Sequence, residues 1–363
     1  MKIIEEILDL SFDIGKIFDN YVNENIIFFD IETTGLSPDR GEVYLIGCLV
    51  FQQNQWRLIQ FLSESPSDEK KILVAFQNLC NFHDTYIHFN GRSFDIPYLN
   101  KKFSHYHLKG FSSLSTEIDL FRKIKSYHAL LQLETYSLSS LMEFVGRKRK
   151  DFFTGRELIG QYLQYRSQKS SCLEKNILLH NKEDVLGLLD VFIIEQQIQA
   201  LKSAYKVNSW YIESNSIEEK KLHGSIQFNQ PSYLDFVLNL PWGKIIFYSK
   251  DTKADLCIQL FHGTAYHFFD NYKEYYYIAD QDEAIHKSVG KFLPPIKRKQ
   301  ATASNCYIKK EGLFIPIWMA VDNLPLFFLS IRKEQGYLPI NFSNQKELLS
   351  IWLEQWLQTI FLL

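Results

Sequence analysis

Residues 26–35 read Ile-Ile-Phe-Phe-Asp-Ile-Glu-Thr-Thr-Gly, and the fold turns on how they are understood. Ile26 to Glu32 is an apolar run of strand length, interrupted only by Asp30 and Glu32. Successive side chains of a strand point to opposite faces, so these two carboxylates share a face, about 6–7 Å apart. Thr33-Thr34-Gly35 then turns the chain and leaves the pair at the rim of a buried strand. Like charges placed there repel each other and resist desolvation. A divalent cation relieves both costs, because it supplies opposite charge and replaces lost hydration. The competing reading is a solvated loop with two chance acids.

Strand and helix signals alternate around this segment. Val43 to Phe51 and Gln55 to Leu62 read as strands joined in a hairpin at Gln52-Gln53-Asn54. Asp68 to Cys80 reads as a helix with acids in its first turn, where the helix dipole favours them. Thr85 to Phe89 reads as a strand running into the turn signal Asn90-Gly91, and Glu117 to Leu120 as one more short strand. Lys175 to Lys202 reads as a helix.

Two of these units carry further candidate groups. His88-Phe89-Asn90-Gly91-Arg92-Ser93-Phe94-Asp95 ends a strand and opens a helix with Pro97 in its first turn. Alone, Asp95 reads as a helix-start acid favoured by the dipole. In Leu178-Leu179-His180-Asn181-Lys182-Glu183-Asp184-Val185, His180 and Asp184 lie four apart and share one helix face. That suits a histidine that activates or orients water beside a metal-bound carboxylate. In isolation the pair reads first as an exposed one on a solvated face.

Together, the Asp-x-Glu of the first strand, the Asn-x-x-x-Phe-Asp of the strand–helix junction and the Asp of the later helix resemble the DEDD family of 3′–5′ exonucleases. Within that group, Ile118-Asp119-Leu120, Tyr136-Ser137-Leu138 and Thr154-Gly155-Arg156-Glu157 are similar to the joining segments of YprB-type, ribonuclease H-like proteins of bacteria. The resemblance covers roughly residues 24–200. It implies an α/β, ribonuclease H-like mixed sheet with flanking helices. It also implies metal-dependent 3′–5′ exonucleolytic hydrolysis of DNA or RNA, with single-stranded 3′ ends as the expected partner. Asp30, Glu32, Asp95 and Asp184 would hold two Mg²⁺ or Mn²⁺ ions, whose preference for hard oxygen ligands fits carboxylates. His180 precedes Asp184 by the spacing of the family's tyrosine branch, so both a general-base and a positioning role are open. Asn90 and Phe94 would touch the terminal nucleotide, although Phe94 is equally a core residue. Asp119 reads as structural.

The 363 residues suggest two domains, since single cores stop growing near ~250–300 residues. We place them at residues 1–206 and 207–363, with the polar stretch Val207 to Lys221 at the boundary. Aromatic, strand-like segments dominate the second part: Lys244 to Tyr248, Ala254 to Phe261, Tyr266 to Phe269, Tyr275 to Ile278, Cys306 to Lys309 and Leu324 to Ile331. No helices alternate with them, so this part reads as mainly antiparallel, β-rich α+β.

A net charge of −2 excludes a global positive field, so nucleic acid would have to meet local patches or metal ions. Arg147-Lys148-Arg149-Lys150 is one such patch. Ile285-His286-Lys287-Ser288 and Lys297-Arg298-Lys299, near Tyr275, Tyr276, Tyr277 and Tyr307, form another. A solvated face explains each as readily.

Cys48, Cys80, Cys172, Cys257 and Cys306 are odd in number and widely spaced, which argues against a disulfide framework or a structural zinc site. The N-terminal MKIIEEILDLSFDIGKIFDN is apolar at roughly helical spacing, but its acids exclude a signal peptide. The C-terminal LLSIWLEQWLQTIFLL reads as an amphipathic packing helix, interrupted by Glu354, Gln355 and Gln358. The expected setting is cytoplasmic, without a membrane partner. Two rival readings are a nucleic-acid-binding scaffold with a silent nuclease site and a structure-selective endonuclease on the same fold.

Overall fold

Asp30 and Glu32 lie on β2 (Ile26–Thr33) of a six-stranded mixed sheet. The other strands are β1 (Lys2–Leu8), β3 (Val43–Gln52), β4 (Gln55–Leu62), β5 (Thr85–His88) and β6 (Thr116–Asp119), in the order β1-β4-β3-β2-β5-β6. The pairs from β1 to β2 are antiparallel; β5 and β6 join in parallel. This computed structural model describes residues 1–10, 25–111, 116–200, 205–214, 220–229, 231, 232, 234–240, 242–317, 324–340, 347, 348, 350–352 and 355.

The turn between β3 and β4 places Gln53 and Asn54 at φ 54° and 59°. Two successive left-handed residues match the twist of a tight hairpin, and Asn tolerates that region better than most residues.

The pleat of β2 sends its side chains to two different layers. Phe29 packs on Phe76 of the helix Glu69–Cys80, ring centroids 5.2 Å apart. Phe28, one residue earlier, meets Phe192 of the helix Ser171–Ala200 edge-on at 5.5 Å. Asp30 and Glu32 follow the parity of Phe28 and so face the layer of that 30-residue helix. All four of these phenylalanines are fully buried. Each burial contributes about 1.5–3 kcal/mol, and Phe28→Ala would cost about 3–5 kcal/mol by leaving a cavity between sheet and helix.

The helix Asp95–His105 follows β5 and carries Asp95 in its first turn. It is tied down by the buried Glu69, whose carboxylate meets Lys102 Nζ at 2.9 Å and accepts from Val43 N at 2.7 Å and Tyr106 Oη at 2.8 Å. Opposite charge and two further hydrogen bonds offset the desolvation of that carboxylate.

Two compact units divide the chain. One comprises Met1–Ser203 with the short pieces Gln230–Phe236 and Tyr248–Asp251; the other holds the rest. The second unit is built on β7 (Tyr205–Ser214), β8 (Lys220–Phe228), β9 (Phe236–Leu240), β10 (Gly243–Phe247), β11 (Lys253–Phe268), β12 (Tyr275–Ile278), β13 (Glu283–His286), β14 (Lys299–Gln300), β15 (Tyr307–Ile317) and β16 (Gly336–Pro339). β11 pairs with β8 and β10 along its first half and with β15 along its second, all antiparallel. β12 pairs with β13 and β14 in a separate small sheet. The fold is therefore a mixed sheet with flanking helices, as the resemblance implies, plus an antiparallel β-rich region.

Several local expectations change. Lys2–Leu8 is a strand, because pairing with β4 satisfies its backbone and outweighs its helical spacing. The polar Val207 to Lys221 stretch contributes β7 and the start of β8, a hairpin whose sequence hides its strands behind exposed polar side chains. Ala254 to Phe261 and Tyr266 to Phe269 belong to one continuous strand. Leu324 to Ile331 shows only isolated bridges, at Phe327 and Phe328. The C-terminal segment 348–363 lies mostly outside the described residues. All five cysteines are free thiols, with Cys48, Cys80 and Cys306 buried and Cys172 exposed. Among the described residues, no helix is long and apolar enough to cross a membrane.

Candidate active site

Three separate stretches of chain bring their acids to one place. β2 supplies Asp30 and Glu32, the start of the helix after β5 supplies Asp95, and the long helix Ser171–Ala200 supplies Asp184. Burial raises the Asp30 carboxyl well above the usual range, and the charges of Glu32, Asp184 and Asp95 raise it further. Glu32 is pushed from 4.5 to about 8, by burial and then by Asp184 and Asp95. Burial lifts Asp95 from 3.8 to about 6. Asp184 is also raised by burial, although His180 and Arg149 pull against the rise. Mutual repulsion in a desolvated cluster is the state that a divalent cation relieves. The donors are hard oxygens, which suits Mg²⁺ or Mn²⁺. The ligand atoms of Glu32, His180 and Asp184 also lie within 4.8 Å of one another, a spacing that one ion could span.

The surroundings hold these groups in place. Asn181 donates from Nδ2 to Asp30 Oδ2 at 3.0 Å, and its Oδ1 accepts from Gln60 Nε2 at 2.9 Å. That amide lies against Gly47 of β3, which pairs with Asp30. A Cβ at residue 47 would meet Asn181 Oδ1 at 2.0 Å, so only glycine admits the approach. Tyr44 Oη lies 3.5 Å from Glu32 Oε2.

His180 is half-buried between acids. Its Nδ1 bonds to the carboxylate of Asp151, a side chain only 2% exposed. Its Nε2 lies 3.2 Å from Asp184 Oδ2 and 3.7 Å from Glu32 Oε1. With Nδ1–H donating to Asp151, Nε2 is the nitrogen presented to Glu32 and Asp184. Asp151 is itself fixed, because Glu183 accepts from the backbone N–H groups of Lys150 and Asp151 at 2.8 and 3.0 Å.

Arg149 bonds to Asp184 and reaches Asp151 at 3.3 Å and Glu183 at 3.7 Å. Arg147 pairs with the buried Asp190 through Nη2 at 2.7 Å. Half of the basic run 147–150 is thus turned inward onto the long helix instead of forming an open phosphate surface.

The remaining candidates lie close to this centre in sequence but play different parts. Asn90 is exposed, adopts φ 56° and donates its backbone N–H to Asp119 Oδ1 at 2.9 Å. Phe94 packs against the core and against Tyr98, centroids 5.3 Å apart. Asp119 caps the helix Leu120–Lys125 by accepting from Phe121 N at 3.1 Å, and its charge adds to the rise at Asp95. Sequence reading missed Asp151, Asn181, Gly47 and the inward turn of Arg149. Asn181 alone had a local signal, standing between His180 and Asp184 on the same helix.

A model of the ribonuclease H superfamily matches residues 27–194. That stretch, a little under half of the chain, is similar to the ribonuclease H superfamily. That superfamily includes nucleases, and its nucleases typically use divalent metals. The ribonuclease H-like domain contains all four acids, His180 and Asp151. YprB of Bacillus subtilis (strain 168) is 24% identical over 211 residues, which are 55% of this chain and 50% of that protein. The chain thus spans about half the length of this relative. A family B DNA polymerase from the hyperthermophilic archaeon Pyrobaculum calidifontis aligns over 48% of this chain and 24% of its own, at 17% identity and a TM-score of 0.40, a likeness too slight to argue from.

Proposed function

We propose that this protein is a divalent-metal-dependent 3′–5′ exonuclease acting on DNA or RNA, with residues 1–206 as its catalytic part. The observation that carries this reading is the convergence of Asp30, Glu32, Asp95 and Asp184, all with carboxyls raised by burial, and with Asp95 and Asp184 raising both Asp30 and Glu32 further. These four are the proposed ligands of two Mg²⁺ or Mn²⁺ ions. When bound, such ions supply charge neutralisation and Lewis acidity at the scissile phosphate.

The chain's own groups account for the rest. Hydrolysis joins a water oxygen to phosphorus and breaks the bond to the 3′ oxygen, so the water must give up a proton. His180, held by Asp151, offers Nε2 beside Glu32 and Asp184 as the acceptor. Asn181 keeps Asp30 oriented. Arg149 places a cation at Asp184, where it limits repulsion among the acids. The exposed Asn90 stands at the turn leading into the helix of Asp95, within the segment proposed to meet the terminal nucleotide.

The test uses 5′-labelled single- and double-stranded DNA and RNA, and circular DNA, with Mg²⁺ or Mn²⁺ and an Asp184→Asn control. A ladder shortening from the 3′ end, absent with the control, supports the reading. Cleavage of circular DNA would point to an endonuclease. No cleavage with either metal, or equal cleavage by the control, would remove it.

A further inference from the structure

Residues 285–299 of the second unit, Ile-His-Lys-Ser-Val-Gly-Lys-Phe-Leu-Pro-Pro-Ile-Lys-Arg-Lys, carry Lys287, Lys291, Lys297, Arg298 and Lys299 and no acid. The chain as a whole has a net charge of −2, so this is a local departure. The same stretch leaves large apolar side chains in water: Phe292 is 80% exposed and Ile296 91%. These side chains, set among cations, offer apolar surface that a partner could cover.

The segment is braced from beneath. Arg298 lies over the Tyr276 ring at 5.0 Å and donates from Nη1 to Gly290 O at 2.9 Å. Lys287 Nζ lies 5.4 Å from the centre of the same ring. Gly290 is pressed close to that ring, since a Cβ there would meet Tyr276 Cδ2 at 2.9 Å. Pro294 and Pro295 stiffen the stretch between Phe292 and Ile296. The tyrosines that sequence alone suggested as stacking surfaces are already engaged: Tyr275 stacks on Phe269 at 4.4 Å, and Tyr277 and Tyr307 both donate to Asp282 at 2.7 Å. Their place at the surface is taken by Phe292 and Ile296.

Beside Ile296 opens a cavity of about 310 Å³ lined by Ala279, Asp280, Ile296, Lys297 and Lys299. Its one acid, Asp280, pairs with Lys297 at 3.5 Å.

We propose that residues 287–299 form a binding ridge for single-stranded nucleic acid, with Lys291, Lys297 and Lys299 meeting phosphates, Phe292 stacking on a base, and the cavity beside Ile296 receiving an unstacked base. Unpaired bases offer both a flat face for stacking and N–H donors that a carboxylate such as Asp280 accepts. A flat anionic membrane matches the charge of the lysines but leaves the cavity unfilled and sets Asp280 against lipid phosphate. The choice of ligand rests on the nuclease reading above; the ridge itself does not.

The full chain is titrated against fluorescein-labelled 20-mers of oligo-dT and oligo-U by anisotropy, in EDTA so that no hydrolysis intervenes, across a salt series. The variants are Lys291→Ala/Lys297→Ala/Lys299→Ala and, separately, Phe292→Ala/Ile296→Ala. Loss of three phosphate contacts should weaken binding at least tenfold at low salt and flatten the log–log salt slope by about 2, at ~0.7 per contact for single strands. Loss of the apolar tips should weaken binding roughly tenfold and leave the slope unchanged. Wild-type affinity and slope in both variants would overturn the proposal. So would sedimentation with phosphatidylserine vesicles in the absence of oligonucleotide binding. The nuclease reading fails on a different result: oligonucleotide bound in EDTA through this ridge, yet left intact when Mg²⁺ or Mn²⁺ is added.

Discussion

Glu32→Gln should make the metal-free protein more stable at high pH and not at low pH. The carboxyl is lifted from 4.5 to about 8, chiefly by burial and then by Asp184 and Asp95. Because the folded value lies above the unfolded one, the folded chain keeps a proton that the unfolded chain has released. Stability is therefore present in full below about pH 4.5 and is lost as pH rises towards 8. At about 1.4 kcal/mol per pH unit, the loss reaches roughly 5 kcal/mol at most. Gln keeps the shape and the acceptor oxygen but buries an amide NH₂, at a cost of about 1–3 kcal/mol if it finds no partner. The net expectation is a gain of roughly 2–4 kcal/mol at pH 9 and a loss of about 1–3 kcal/mol at pH 4, where no charge is relieved. For a domain of this size the gain corresponds to a rise in Tm of roughly 5–15 °C. Thermal melts in EDTA from pH 4 to pH 9, followed by circular dichroism, measure it. Melting curves offset equally at every pH, or a variant less stable at pH 9, would refute the argument that repulsion and burial burden this site.

Other substitutions probe the neighbours of that carboxylate. His180→Ala should slow hydrolysis about 10²–10⁴-fold if the imidazole takes the proton, whereas a change of a few-fold would assign the task to water alone. Asp151→Asn should reproduce much of that loss with little change in substrate KM, since the amide can present its NH₂ to Nδ1 and favour the wrong tautomer; wild-type turnover would remove Asp151 from the mechanism. Gly47→Ala should cost about 1–3 kcal/mol and detach Asn181 from Asp30, seen as a lower Tm and weaker Mg²⁺ binding by calorimetry; unchanged values would mean that Asn181 yields freely. Arg149→Met should lower the stability of the metal-free protein at pH 8, with Mg²⁺ restoring more of it than in the wild type, because a cation is removed from Asp184; equal Mg²⁺ gains in both proteins would contradict this.

Much of this protein is written in short stretches of its sequence. Ile26 to Glu32 announces a buried strand with two acids on one face, and β2 has that form because the alternation of a strand is a local property of the backbone. The hairpin of Gln53 and Asn54, the helix after Asp68 and the Asp95 helix with Pro97 were legible for the same reason: turn residues and helix starts act on their nearest neighbours. The strand Lys2–Leu8 was not legible, since its structure comes from pairing with Leu62 to Trp56, 48 to 60 residues away.

The site divides along the same line. Asp30 with Glu32 and His180 with Asp184 were paired by spacing within their own segments, whereas Asp95 was singled out by the resemblance to the exonuclease family. Only the tertiary structure could place Asp151 on His180, 29 residues apart in the chain, and turn Arg149 from a loop of cations onto Asp184. Gly47 acquires its meaning only when the long helix brings Asn181 onto β3, 134 positions later. Sequence by itself determines which groups are available and which face of an element they occupy, because those follow from local geometry. Which charges meet, which are buried, and how far each carboxyl is lifted depend on contacts between distant segments, and folding alone makes them.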